Sequence, residues 1–176
     1  MENKKVAIYC RVSKRDEQTN ENQTLELERY AKAMGYNYEI FEEKESSRKT
    51  RPIKNRVFQD ALAKKFDMII VMRLDRWARS LQELVNDIDT LRENRVEFFS
   101  LKDNLKISFN PSPTEQLTLN VLGAIAQFER DIIRARTMEG LDRARSNGVK
   151  LGRPAKKARQ LIPPGRDLLS PSILEG

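Results

Sequence analysis

Along the first hundred residues, short apolar runs alternate with amphipathic segments. Positions 6–12 (Val-Ala-Ile-Tyr-Cys-Arg-Val) are short, apolar and rich in β-formers, which predicts a buried strand ending in Ser13. Leu25, Leu27, Tyr30, Ala31 and Met34 recur at mixed helical spacings over 22–34, and Gly35 stands where such a helix would stop. Positions 36–41 read as a second strand. Val57, Phe58, Ala61, Leu62 and Phe66 mark a helix over 55–65. The run at 67–72 (Asp-Met-Ile-Ile-Val-Met) carries the signature of another fully buried strand. Leu84, Val85, Ile88 and Leu91 share one face of a helix over 81–93, and 96–101 is a further strand. Strands that alternate with helices of about a dozen residues imply βαβ units. The expected fold is therefore α/β, a mainly parallel sheet of four to five strands flanked by helices. Sheets of this kind bind ligands at the carboxyl ends of their strands. Ser13 and the 73–79 segment both follow such ends.

The next element differs in kind. Ser112, Pro113 and Glu115 supply an N-cap serine, a proline at the first helical position and a glutamate three residues on, together a capping box. After it only single glycines at 123 and 140 interrupt the pattern before Gly148. A helix over 113–147 would run for about 50 Å at 1.5 Å per residue, longer than a small domain can cover. Its first half is apolar on several sides (Leu117, Leu119, Val121, Leu122, Ile125, Phe128), and its second half keeps a narrow stripe of Ile132, Ile133, Met138 and Leu141. The first half is expected to pack on the sheet domain and on a second subunit while the second half projects; two helices meeting at a bend are the alternative. The expected organisation is an α/β core over 1–110 and a long helix over 111–147 that serves oligomerisation and faces the partner of the basic run. A basic hinge or arm follows over 148–160. The stretch 161–176, rich in Pro, Ser and Gly and without periodicity, reads as an unstructured or artificially appended tail.

Charge narrows the partners. Lys and Arg number 33 against 26 Asp and Glu, giving a net charge of +7. The excess favours a polyanion, and its distribution says more: from Arg143 to Arg166 there are eight basic residues and no acidic one. Such clustering is the footprint of phosphate-backbone binding, and a solvated tail fits it as well. Arg143, Arg145, Lys150, Arg153, Lys156 and Lys157 are the candidate DNA contacts. The chain has no histidine, which removes Ser-His-Asp and Cys-His catalysis and the commonest zinc ligand. Its single Cys10 lies in an apolar run and reads as a core residue of a reducing compartment. Neither a metal nor a cofactor is expected. The apolar stretches are too short to cross a bilayer and no signal peptide is visible, so a cytoplasmic location is expected.

Two clusters can carry chemistry. Strand alternation puts Arg11 and Ser13 on one side and Val12 on the other. A serine hydroxyl is a weak nucleophile that needs its proton removed or its developing charge stabilised. An arginine two positions earlier can hold the phosphate that the serine attacks; an ordinary surface strand end has the same pattern. Arg76 and Arg79 are three residues apart and would point the same way from the opening turn of a helix. Guanidinium forks match phosphate oxygens in a bidentate manner that ammonium groups lack. Mutual repulsion around them makes sense if a phosphate is to arrive. The other reading is a charged turn neutralised by Asp75 and its neighbours.

Taken in order, the motifs resemble the catalytic domain of the serine recombinases, the resolvase/invertase family. They are Tyr-x-Arg-Val-Ser at 9–13, Asn22 and Gln23, Arg51 and Pro52 with Phe58 and Gln59, and Leu-Asp-Arg-x-x-Arg at 74–79. Ala-Gln-Phe-Glu-Arg at 126–130 and Gly-Val-Lys-Leu-Gly-Arg-Pro at 148–154 complete the series, the last like the family's hinge into its DNA-binding arm. The resemblance implies metal-free transesterification in site-specific recombination of the mobile-element type. Ser13 would attack the scissile phosphate to give a 5′-phosphoserine and a free 3′-hydroxyl. Arg11, Arg76 and Arg79 would bind the phosphate, and Arg51 and Arg130 match further phosphate-contacting arginines. Asp75 would orient the arginines and assist proton transfer, Gln23 would help position the site, and Glu129 would pair with the arginine cluster. Asp67 matches an acidic position of structural character. The implied partners are duplex DNA and further copies of the chain, a dimer per site and a tetramer for exchange.

The chain departs from the family pattern in three places. The gap from Ser13 to Gln23 looks one residue longer, which puts the role of Gln18 in doubt. Glu43 stands where aspartate is more frequent. Nothing after Lys157 resembles a helix-turn-helix, so a truncated catalytic domain that cannot choose a site unaided is expected. Two rivals remain: a catalytically inert DNA-binding or oligomerisation module of the same fold, and a doubly wound binding or signalling domain. The second is disfavoured because the first strand ends in Arg and Ser instead of the acids a phosphoacceptor needs.

Overall fold

Alternation along the strands decides which side chains face which layer of helices. The computed structural model describes residues 4–12, 17–44, 50–149 and 151–152, with backbone alone for 17–21. The elements run β1 (Lys5–Val12), α1 (Glu17–Ala33), β2 (Asn37–Lys44), α2 (Pro52–Leu62), β3 (Met68–Val71), α3 (Leu74–Trp77), α4 (Leu81–Glu93), β4 (Glu97–Ser100), β5 (Leu105–Ile107) and α5 (Pro113–Ser146). The sheet order is β2-β1-β3-β4-β5. The first four strands are parallel, and β5 pairs antiparallel with β4. The mainly parallel sheet, the flanking helices and the long C-terminal helix are thus present as expected. The short α3 and β5 have no counterpart in the hydrophobic pattern.

Ala7, Tyr9, Ile69, Val71 and Phe98 face one side, where α2 (Val57, Ala61), Trp77 of α3, α4 (Leu84, Ile88, Leu91) and Leu119 of α5 cover them. Val6, Ile8, Cys10, Met68, Ile70, Met72 and Phe99 face the other, under Leu27 and Ala31 of α1. Both faces are apolar, which is why the central strands read as continuous hydrophobic runs.

Helix ends follow their local signals. Gly35 takes φ 70° beyond α1, and the Tyr36 N–H reaches back to the carbonyl of Ala31. This is a Schellman closure, whose left-handed residue costs glycine least. At α5 the capping box forms in both directions: the Glu115 N–H donates to Ser112 Oγ at 3.3 Å, and the Ser112 N–H donates to Glu115 Oε2 at 2.7 Å. Ser108 adds its N–H and its hydroxyl to Glu115 Oε1, at 3.2 and 2.9 Å, so the residue after β5 and the start of α5 are tied by one carboxylate. The described residues fall into two units divided after Ala135. In the second, Gly148 repeats the closure seen at Gly35, with φ 75° and a bond from the Val149 N–H to the Ala144 carbonyl. Among the described residues no helix is long and apolar enough to cross a membrane.

Candidate active site

In a sheet of this order the chain leaves β1 towards β2 on one side and leaves β3 towards β4 on the other, so the crevice between the carboxyl ends of β1 and β3 is the natural binding position. Arg11 occupies the end of β1 on the same face as Tyr9. Tyr9 is fully buried, and its hydroxyl donates to Glu43 Oε2 at 2.7 Å. Burial, reinforced by the Glu43 carboxylate, pushes the phenol far above its ordinary range. Glu43 is itself buried and accepts the N–H groups of Ile53 and Lys54 at 3.3 and 3.1 Å. A carboxylate on β2 therefore caps α2, complementing the dipole of that helix.

That arrangement fixes Arg51, the residue before the first turn of α2. The residue is 7% exposed, and Nη1 donates to the Trp77 carbonyl at 2.6 Å. Nε and Nη2 are buried and find no hydrogen bond among the described residues. Donors in this position are costly, and a guanidinium is a strong ligand for any anion that reaches them. Burial, then the positive charges of Arg11 and, more weakly, Arg79, push the Arg51 pKa down. Three of the expected phosphate ligands thus share one electrostatic neighbourhood.

The segment after β3 is built around Trp77. Its ring is fully buried and meets Tyr9 edge-on at 5.3 Å and Phe98 at 5.8 Å. α3 is a single turn whose first N–H, from Leu74, donates to Asp103 Oδ2 at 2.7 Å; the same oxygen accepts the Ser100 hydroxyl at 2.6 Å. Ala78 then turns extended at φ −112°, ψ 154°, and Ser80 caps α4 by accepting the Glu83 N–H at 3.1 Å. Arg76 and Arg79 therefore do not share a helical turn. Arg76 rides on α3, while Arg79 lies in the extended link before α4. Asp75 is exposed and lies 3.4 Å from Arg73 Nε and 3.8 Å from Arg76 Nε, so among the described residues it pairs with Arg73 as well as with an expected partner.

The other expected residues are more scattered. Gln23 is half-buried on α1, the helix of the opposite sheet face. Arg130 is exposed on α5, where Nη2 donates to Gln82 Oε1 of α4 at 2.8 Å and to Gln127 Oε1 at 2.5 Å. Glu129 is exposed and makes no ion pair among the described residues, so it is not brought to the arginine cluster there. Asp67 ties strands: its Oδ2 accepts the Lys5 N–H at 2.8 Å, and its own N–H donates to the Lys5 carbonyl at 2.7 Å. Arg143 and Arg145 belong to the second unit and are exposed, with Arg145 paired to Asp142 at 2.8 Å. Ser13, Lys150, Arg153, Lys156, Lys157 and the stretch 161–176 lie outside the described residues, as does the side chain of Gln18.

Residues 6–150 match the family model described as the resolvase N-terminal domain. The chain belongs to the resolvase family of serine recombinases. It is 38% identical over 149 residues to the serine recombinase gin of Escherichia phage Mu, covering 84% of this chain and 72% of that protein. Among solved structures, the N-terminal catalytic domain of TP901-1 integrase superposes with TM-score 0.62 at 33% identity, over 73% of this chain and 98% of that one. A resolvase family site-specific recombinase from Streptococcus pneumoniae gives TM-score 0.69 at 27% identity, over 80% of this chain and 98% of that one. The recombinase relationship, the fold and the enzyme class expected from the motifs are confirmed by these matches.

Within the resolvase domain, sequence reasoning missed Lys54, Trp77 and Glu83, which support the arginines from beneath. Lys54 is buried at a position that shares the apolar spacing of Val57, Phe58 and Ala61; a lysine in that stripe was the available signal. Glu83 stands three residues after Ser80, the spacing of a capping box, yet its carboxylate accepts the Arg79 N–H at 2.8 Å instead of that of Ser80.

Proposed function

We propose that this recombinase domain cleaves and rejoins duplex DNA at a centre made of Ser13 and converging arginines. Ser13 Oγ attacks the scissile phosphorus and forms the Oγ–P bond. The P–O3′ bond breaks, and the 3′ oxygen leaves with a proton. After strand exchange a 3′-hydroxyl attacks the phosphoserine, restoring the diester and the serine, so the bond energy is conserved without a nucleotide cofactor. Arg11, Arg51, Arg76 and Arg79 hold the phosphate and offset the charge that grows in the transition state. Asp75 orients Arg76, Arg130 contacts phosphate from α5, and Gln23 and Glu129 have supporting roles.

The observation that carries this reading is the common electrostatic neighbourhood of Arg11, Arg51 and Arg79 beside the carboxyl ends of β1 and β3. Ser13 directly follows the last residue of β1. Assembly as a dimer on each site and a tetramer during exchange is supported by an apolar stripe on α5. Leu117 and Phe128 there are 62% and 66% exposed, with Val121 and Ile125 between them. Arg143 and Arg145, followed in sequence by Lys150, Arg153, Lys156 and Lys157, supply backbone contacts to DNA. The domain organisation that accompanies this reading is a core over 1–110, the long helix over 111–147 and the basic arm over 148–160.

The test uses the chain joined to a DNA-binding domain of known site, with end-labelled duplex carrying that site. Wild type is expected to form a protease-sensitive covalent adduct at the 5′ phosphate. Ser13→Ala should bind equally and form none. An adduct that persists in Ser13→Ala overturns the assignment of the nucleophile.

A further inference from the structure

Beneath the arginine cluster a buried lysine meets two partly exposed acids. The Lys54 side chain is 6% exposed. Its Nζ pairs with Glu83 Oε1 and, at 2.7 Å, with Asp87 Oδ2, and lies 5.0 Å from the centre of the Trp77 ring. Both acids reach on to the functional segment. Glu83 accepts the Arg79 N–H through its second oxygen at 2.8 Å. Asp87 Oδ2 accepts the Trp77 indole N–H at 2.9 Å, and the Trp77 carbonyl receives Arg51. Glu83 and Arg51 also act on each other electrostatically, each stabilising the other's charged form.

The charge balance of this triplet matters for the arginines above it. One ammonium and two carboxylates leave a net negative charge close under Arg51 and Arg79. A carboxylate is as good a bidentate partner for guanidinium as a phosphate is. Lys54 takes Glu83 Oε1 while the Arg79 N–H takes Oε2, and on Asp87 the ammonium and the Trp77 indole N–H share Oδ2. Removing the ammonium leaves two half-buried acids without their cation, and their strongest neighbouring partners are then the guanidinium groups.

We propose that Lys54 is a positioning residue for strand cleavage: by pairing with Glu83 and Asp87 and offsetting part of their charge it keeps Arg51 and Arg79 directed at the DNA phosphate instead of folding back onto the acids. A lysine buried in an ion cluster is a poor way to add stability, since an apolar side chain of similar volume often serves as well. Its value lies in orientation. The proposal rests on the assignment of Arg51 and Arg79 as phosphate ligands.

Single-turnover adduct formation is measured for the full chain joined to the same DNA-binding domain, with DNA affinity and thermal unfolding followed in parallel. Lys54→Met is expected to bind DNA as wild type does and to form adduct roughly tenfold more slowly or worse. The triple variant Lys54→Met, Glu83→Gln, Asp87→Asn keeps oxygen acceptors for the Arg79 and Trp77 N–H groups and removes the stranded charge. It is expected to recover to within about threefold of wild type. Should Lys54→Met not fold, Lys54→Met with Asp87→Asn keeps the net charge of the triplet, leaves Glu83 unpaired, and should be slow in the same way. Wild-type rates in the Lys54 variants overturn the proposal, as does a triple variant that folds yet stays as slow as Lys54→Met. If the wild-type chain itself forms no adduct, it is the underlying assignment of the site that fails.

Discussion

Arg51 carries two buried donors without a hydrogen bond among the described residues, beside Arg11 and Arg79. Such a group is held against desolvation and repulsion by the fold around it, chiefly the Trp77 carbonyl and the Glu43 cap of α2. Geometry, and not charge alone, is what this cluster offers a phosphate. Arg76→Lys should therefore fail although the charge stays. Losing a charge-assisted bond of about 1.5–3 kcal/mol slows adduct formation roughly 10- to 150-fold. Near wild-type cleavage by Arg76→Lys contradicts the clamp. Cys10 supplies a second check at this scale: burial pushes its thiol up to about 11, so a thiol reagent at pH 8 should label the native chain far more slowly than the unfolded one. The arginines were legible because they sit in a motif with fixed spacing. Lys54 was not, because a charged residue inside an apolar stripe reads from sequence as an interruption of the stripe.

At the scale of elements, the capping box of α5 gathers three bonds on one carboxylate. Burial pushes the Glu115 pKa up, but bonds from the Ser112 N–H and from the Ser108 N–H and hydroxyl outweigh it and hold the carboxyl below its ordinary value of 4.5. A folded pKa below the unfolded one gives stability that is present above the unfolded value and is lost as pH falls through the folded one. Glu115→Gln should thus lower stability by about 1 kcal/mol at neutral pH. The gap to wild type should close as the pH drops below 4, in denaturant titrations at each pH. A gap that stays constant with pH sets the ionised carboxylate aside as its source. This box was readable because its partners are three residues apart. The helix α4 was readable to the residue from its clean apolar face. By contrast α3 is too short to show a period, and it is held by Asp103 from another part of the chain. β5 has three residues and one buried side chain, Ile107, so no alternation can establish itself.

For the molecule as a whole, the apolar stripe on α5 is wide for a surface that stays in water: Leu117, Val121, Ile125 and Phe128 are all about half exposed or more. Phe128→Asp should weaken self-association at least tenfold in sedimentation equilibrium while leaving the unfolding temperature of the chain nearly unchanged. An unaltered association constant removes that stripe from the interface. The overall plan was legible because alternating strands and helices admit few topologies. The docking of distant groups was not, since contacts such as Asp103 to Leu74 or Glu43 to Lys54 leave no local trace. The first of these has a practical side. The tight link between β4 and β5 sits at the sheet margin and invites insertions, tags or swapped loops. Yet one oxygen of Asp103 holds both that link and the turn bearing Arg76. Grafts placed at 101–104 will be felt as lost catalysis before they are felt as lost folding.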